Sequence, residues 1–280
     1  RVARTGWAAQ HLVLRADETI VGIAPCYLKS HSRGEYVFDH GWAEAYERAG
    51  GRYYPKLQVS VPFTPATGPR LLVHPQAFDP TAVRNVLAHE LIMLAQAHAA
   101  SSVHATFLPE AEWHLLSGHG YLPRTDQQFH WENAGYASFD DFLGTLASRH
   151  RKTIRRERRE SVQAGITIHH LTGNSITDDA LDAFFAFYME TGSRKWGRPY
   201  LTRAFYSEIT ERMRAQILLV MARRDGRWIA GAINFIGSDT LYGRHWGAIE
   251  HLPFLHFEIC YYQAIDFAIA RALRWVEAGA

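Results

Sequence analysis

Two histidines, His40 and His245, each stand beside a glycine and a tryptophan, and each closes a similar run of residues in one half of the chain. A histidine near neutral pKa can take a proton from an attacking nucleophile, and so can a carboxylate raised towards that range. Glu35 and Asp39 precede His40, and Arg244 precedes His245. A cation with nearby backbone N–H groups can hold an oxyanion. These residue types together suit attack of an amine on an ester or thioester. The segment LHFEICYYQ adds His256 and Glu258 where a helix is expected to open, a place where the dipole favours a carboxylate. The candidates for catalysis are therefore Glu35, His40, His245, His256 and Glu258. Asp39, Trp42, Tyr242 and Arg244 are candidates for substrate contact. The alternative for each is a structural role, capping a strand or joining two domains.

A second constellation is basic. Arg149 to Glu160 holds seven Lys/Arg and two Asp/Glu, in a chain whose formal net charge is only +2. At helical spacing Arg151, Arg155 and Arg158 share one stripe, and Lys152, Arg156 and Arg159 share its neighbour. Arginine suits bidentate phosphate contact, so Arg151, Lys152, Arg155 and Arg156 are candidate anion ligands. Arg–Glu pairs along a solvated helix are the alternative. Lys195, Trp196 and Arg198 lie in SRKWGRPYL, a Gly- and Pro-containing loop by its composition, where a phosphate beside a flat group would fit. A Trp packed on the core explains that loop equally well. Sixteen histidines occur without H-E-x-x-H or C-x-x-C, and His169 and His170 point to opposite faces of a strand. No metal is expected. Phosphate-loop, dinucleotide and G-x-S-x-G signatures are absent too, which removes kinase, dehydrogenase and hydrolase readings.

The elements that must position these groups repeat. Leu12–Trp42 and Leu218–Gly247 each read as an apolar run, an Asp turn, a second run with Gly22 or Gly231, and a third run ending at the histidine. Each predicts a three-stranded meander. With 280 residues, 47% of them hydrophobic, the chain suits two domains, placed at 1–137 and 138–280, the second opening with the basic helix. Between the meanders the pattern predicts a short helix at 43–51 and strands at 53–73, set by their prolines at an edge or at a splayed pair rather than in a sheet centre. It then predicts a helix at 80–100 capped near Thr81, one helix from Ser138 to Gly165, and two more at about 177–192 and 202–214. A helix from Leu255 to Leu273 and a strand at Arg274–Ala278 close the chain. Interleaved strands and helices make an α/β (α+β) fold with mixed sheets. Cys26 and Cys260 sit in apolar segments and read as buried, reduced thiols. No apolar stretch reaches the length of a membrane span, and a cytoplasmic protein is expected.

Four long segments carry a resemblance over essentially the whole chain: KSHSRGEYVFDHGW, YYPKLQVSVPFTPATGPR, QFHWENAGYASFDDFLGTLASRHRKTIRRER and HFEICYYQAIDFAIARALRWVEAGA. They resemble the FemAB-like transferases, in the subgroup labelled as peptidoglycan biosynthesis proteins. The resemblance implies two tandem GNAT-type domains with splayed sheets. It also implies transfer of an acyl group, often aminoacyl from aminoacyl-tRNA, to an amine of a small, anionic or lipid-linked acceptor. No tightly bound cofactor is implied. Acyl-CoA is the alternative donor, and a non-catalytic RNA- or phosphate-binding protein is the alternative class. CoA-binding relatives carry Q/R-x-x-G-x-G/A after the fourth strand, where amides hold the pyrophosphate. Here Arg244-x-x-Gly247 starts that pattern and Ile249 breaks it. A GNAT-type sheet also implies a further hairpin after Arg274–Ala278. The chain therefore reads as trimmed at one or both ends, with an open sheet edge near Trp275–Ala278 or a partner chain lying over it.

Overall fold

The computed structural model describes residues 5–163, 165–196 and 199–279, the side chains of Lys195 and Trp196 excepted. The chain divides into two compact units, one up to Asp126 and the other from Gln127 to Gly279.

The first unit begins with β1 (Trp7–Ala9) and a hairpin of β2 (Leu12–Ala16) and β3 (Thr19–Ala24). Asp17 turns the hairpin at φ 50°, a conformation Asp tolerates better than most residues. Pro25 interrupts the chain between β3 and β4 (Cys26–Lys29), which belong to different sheets. After α1 (His40–Arg48) come β5 (Lys56–Val59), β6 (Leu72–Val73), α2 (Pro80–Ala97), β7 (Val103–Ala105) and α3 (Glu110–Gly118). One sheet has the order β1-β4-β5-β7, with β5 and β7 parallel; the other is β2-β3-β6. Asp79 caps α2, accepting from the amides of Thr81 and Ala82 at 3.0 and 2.9 Å, and Pro80 fits the first turn. That helix buries Leu87, Ala88, Leu91 and Ala95 with Leu57 and Val59. Its close approach requires Gly22, where an added Cβ would lie 2.6 Å from Val83 Cγ1.

The second unit runs through β8 (His130–Glu132), α4 (Phe139–Thr145), α5 (Ser148–Ser161), β9 (Thr167–Thr172), α6 (Asp178–Trp196) and α7 (Arg203–Met213). The meander β10 (Ile217–Arg224), β11 (Arg227–Ile236) and β12 (Thr240–Ala248) follows. Then come α8 (Leu255–Phe257), a π-turn at Glu258–Tyr262, α9 (Gln263–Ala270) and β13 (Trp275–Glu277). The sheet order is β8-β13-β12-β11-β10-β9. Alternation along β10 sends Leu218, Val220 and Ala222 into the core of α9, and Ile217, Leu219 and Met221 into that of α6 and α7. Both faces are covered, which is why this strand reads as an unbroken apolar run. At Gly247 an added Cβ would lie 2.2 Å from the Phe187 carbonyl oxygen of α6.

Both units thus carry antiparallel strands, a crossover helix and a parallel strand, the GNAT-type core that the resemblance implies. Several expectations are corrected. The first copy has its hairpin, but Tyr36–Asp39 is irregular and His40 opens α1 instead of closing a third strand. The strand that pairs with β4 is β5, reached only after residues 30–55. Nor is β5 an edge: it lies between β4 and β7, with Pro55 and Pro62 just outside it. The cap of α2 is Asp79, two residues before Thr81 and so near it as expected. The single helix expected from Ser138 breaks at Leu146 into α4 and α5, because Leu146 turns into the core. The edge at Trp275–Glu277 is covered, since β8 pairs with β13 at Glu132, Trp131 and His130.

Candidate functional site

The alternation of β5 builds a buried polar layer in the first unit. Side chains alternate across a strand. Leu57 and Val59 enter the apolar core, so Lys56, Gln58 and Ser60 face the other way. Register places Lys29 of β4 beside Lys56, Trp7 beside Lys29, and His104 of β7 beside Gln58. Lys29, Lys56 and Gln58 are each 0% exposed. Burying an ammonium without a partner is prohibitive, and the segment before α1 supplies the partners. Lys56 Nζ donates to Glu35 Oε2 at 2.7 Å and also to Asp39 Oδ2. Lys29 Nζ lies 3.7 Å from Glu35 Oε1, donates to the Arg33 carbonyl at 3.0 Å, and sits 3.6 Å above the Trp7 ring. Tyr53 donates its hydroxyl proton to Asp39 Oδ2 at 2.8 Å. Gly34 at φ 80° and Tyr36 at φ 57° give the segment the bends that bring both carboxylates inward.

Burial and pairing set the protonation of this layer. Burial raises the Glu35 carboxyl above its ordinary value, although Lys56 and Lys29 oppose it. Burial would also raise Asp39, but the hydrogen bonds from Lys56 and Tyr53 help to hold it down to about 2. Lys29 is lowered by burial to about 8. His104 is lowered by burial, then by Lys56, to about 4, so its imidazole is neutral at pH 7. Its Nδ1 is 4.0 Å from Asp39 Oδ2 and its Nε2 is 3.0 Å from Ser102 Oγ. With its side chain 25% exposed, His104 joins the layer to solvent. Four buried oxygens of the layer, Glu35 Oε1, Asp39 Oδ1, Gln58 Oε1 and Ser60 Oγ, have no hydrogen-bond partner. The layer is short of donors.

Of the sequence-predicted residues, the structure brings Glu35 and Asp39 together through Lys56. His40 and Trp42 are exposed on the first turn of α1, Trp42 5.7 Å under the Arg124 guanidinium. In the second unit, Arg244 donates to Glu277 Oε1 at 3.0 Å and stacks over Tyr242 at 5.3 Å. His245 contacts the Tyr200 hydroxyl at 3.1 Å, and burial lowers it to about 4. His256 lies among Trp246, Phe257 and Tyr261. Glu258 is buried under Arg158, which donates to it at 3.3 and 3.1 Å and to Asp266 at 2.6 Å. Gln263 also donates to Glu258, at 2.6 Å. Arg158 therefore belongs to the fold rather than to an anion stripe. Arg151 donates to the carbonyls of Gly144 and Leu146 at the end of α4. Arg155 pairs with Asp140 at 2.8 Å, and Arg156 approaches Glu160 at 3.9 Å. Lys152 is exposed. Helix α6 runs to Trp196, so Lys195 and Trp196 end a helix instead of lying in a loop; their side chains and Arg198 lie outside the described residues.

Lys29, Lys56, Tyr53, Gln58 and His104 were not among the sequence candidates. Their signal is the pattern Lys-Leu-Gln-Val-Ser, in which polar residues take every second place of a strand with no solvent face.

The model of the FemAB-like family, described as peptidoglycan biosynthesis/recognition, matches residues 1–280. The chain belongs to the FemAB-like family. No curated protein matches it by sequence. Among solved structures, this FemAB-like protein is similar to FemX at TM-score 0.51 and 11% identity, over 99% of this chain and 80% of that one. It is similar to L-PGS from Bacillus licheniformis at TM-score 0.55 and 9% identity, over 96% and 67% of the two chains. The C-terminal domain of a putative lysylphosphatidylglycerol synthetase from Agrobacterium fabrum matches at TM-score 0.54 and 8% identity, over 99% and 71%. At these identities the likeness is one of fold. No helix among the described residues is long and apolar enough to cross a membrane.

Proposed function

We propose that this FemAB-like protein is an acyltransferase. It moves an aminoacyl group from aminoacyl-tRNA, in the cytoplasm, to the amine of a small or cell-wall-related acceptor, anionic or lipid-linked. Membership of the FemAB-like family over the whole chain supports the class. The observation that carries the site is the donor-poor polar layer of the first unit. An amine brings the N–H groups that Glu35 Oε1, Gln58 Oε1 and Ser60 Oγ lack. Glu35, raised by burial, takes the proton as the amine attacks the ester carbonyl. The new C–N bond replaces the C–O bond to the ribose, whose oxygen leaves as a hydroxyl. Asp39 and Lys56 hold Glu35 in place, and neutral His104 stands at the exposed end.

Aminoacyl-tRNA is favoured over acyl-CoA by the surroundings of Arg244 and Gly247. Both lie inside β12, the first tied to Glu277 and the second pressed on Phe187. Gly247 pairs with Gly231 and Arg244 sits at a bulge of the β11–β12 ladder, so neither stands in a phosphate-cradling turn at a helix start. The donor is tested by presenting aminoacyl-tRNA and acyl-CoA separately with small amines and lipid-linked peptide acceptors, and following label into an amide. Product is expected from aminoacyl-tRNA alone. Product from acyl-CoA at equal rate overturns the donor, and product from neither overturns the activity.

A further inference from the structure

Helix α5 spends one of its faces on the fold and leaves another with nothing to bind. At 100° per residue, Ile154, Glu157, Arg158 and Ser161 share one side. Ile154 packs on the core, the Tyr262 hydroxyl donates to Glu157 at 2.6 Å, Arg158 pairs with Glu258 and Asp266, and Ser161 is buried. Arg151 and Arg155 flank that side and are held by α4. The opposite side carries Arg149, Lys152, Arg156 and Arg159, all exposed. Their spacing of three, four and three residues puts them in one stripe, within about 80° of arc and ~15 Å long. Among the described residues the ion pair recorded for this stripe is Arg156 with Glu160, at 3.9 Å. Like charges at these spacings repel within the helix, so the stripe weakens α5 unless an anion outside the fold answers it.

We propose that this stripe docks the phosphate backbone of RNA, in the setting of the function above the stem of the donor tRNA. The inference rests on the aminoacyl-tRNA reading for the identity of that RNA. A straight row of cations matches a row of phosphates, whereas a single phosphate needs groups that converge on one point. Three of the four are arginines, which bind phosphate bidentately. A helix lying on a bilayer needs an apolar flank to insert, and Ile154, the apolar residue of α5, faces the core. The contact is sequence-independent and electrostatic, so it weakens as counterions compete.

The test uses the full chain, deacylated tRNA carrying a fluorophore, and anisotropy titrations over a series of salt concentrations. The variant R149Q/K152Q/R156Q/R159Q is expected to bind more than tenfold more weakly. Its dependence of log K on log salt should be shallower by about 3.6, from four lost contacts at ~0.9 each. Thermal melting of the variant checks its fold, and R149K/R156K/R159K, which keeps the charge, should retain most of the binding. Absence of tRNA binding by the wild type, or equal affinity and salt slope in the glutamine variant, overturns the proposal. So does flotation on vesicles with anionic headgroups that depends on the stripe while tRNA binding does not. Deacylated tRNA needs no transfer, so the two readings fail separately. Unchanged binding beside active transfer sinks only the docking face, and stripe-dependent binding beside transfer from acyl-CoA sinks only the donor.

Discussion

At the residue scale, the polar layer behaves as one unit because none of its charges is satisfied alone. Lys56 neutralises both Glu35 and Asp39. Replacing it with Met takes the cation from buried Asp39 and leaves Glu35 to Lys29 at 3.7 Å; it should destabilise the protein by about 3–5 kcal/mol, measured by urea unfolding. Arg155→Ala breaks an exposed pair and should change stability by less than about 1 kcal/mol. Of the four histidines lowered by burial, the two lowered furthest give a pH signature. His104 and His245 fall from 6.5 to about 4 in the folded chain, so the unfolded chain binds more protons between those values. Stability therefore rises with pH across that window and is lost on acidification through it. His104→Gln should flatten the slope between about pH 4 and 6.5 in urea midpoints taken at each pH; an unchanged slope would place the titration elsewhere. Glu35 and Asp39 were legible as site candidates because carboxylates beside a histidine stand out in the sequence. Lys29 and Lys56 were not, because a lysine between apolar residues reads as the solvent side of a strand. The second covering layer, the segment before α1, is a tertiary fact.

At the element scale, α5 shows how a helix with one apolar residue in its basic run can be held. Its anchor is Arg158, which meets Glu258 on the π-turn and Asp266 on α9 and stacks 4.2 Å over Phe139. Arg158→Met should destabilise by about 3–5 kcal/mol, since buried Glu258 loses its cation and keeps the Gln263 amide. Adding Glu258→Gln to that variant should recover part of the loss, a coupling that a double-mutant cycle measures. Two independent losses that simply add would show that Arg158 and Glu258 do not hold each other. The existence and charge of this helix were legible from composition, as were the β10–β12 meander and the crossover helix to β13. The break at Leu146 was not, because an apolar residue turning into the core looks like one more helical position. The missing third strand of the first copy has a related cause. Glu35–Asp39 leaves the sheet to bring its carboxylates to Lys56, and no local pattern records that demand.

At the scale of the whole molecule, two units repeat one core and diverge in what fills it. The second packs apolar clusters on both faces of β10 and keeps the Arg244–Glu277 pair at the β12–β13 side; the first gathers buried charge around Lys29 and Lys56 on one sheet face. In the proposed function the proton chemistry falls to the first unit and the RNA contact to α5 of the second. β8 also matters at this scale, because it pairs the edge of β13 that would otherwise present unpaired N–H and C=O groups. Trp131→Pro should break that pairing and promote concentration-dependent association, seen by light scattering; a monodisperse variant would show that β8 is dispensable there. The most direct measurement of the central claim is single-turnover transfer from aminoacyl-tRNA to an amine by Glu35→Gln, with folding checked by its melt. General-base catalysis is worth about 10²–10⁴-fold, so the amide-forming rate should fall by at least ~100-fold while tRNA affinity stays unchanged. A folded Glu35→Gln protein transferring at the wild-type rate would contradict the assignment of the chemistry to the buried polar layer.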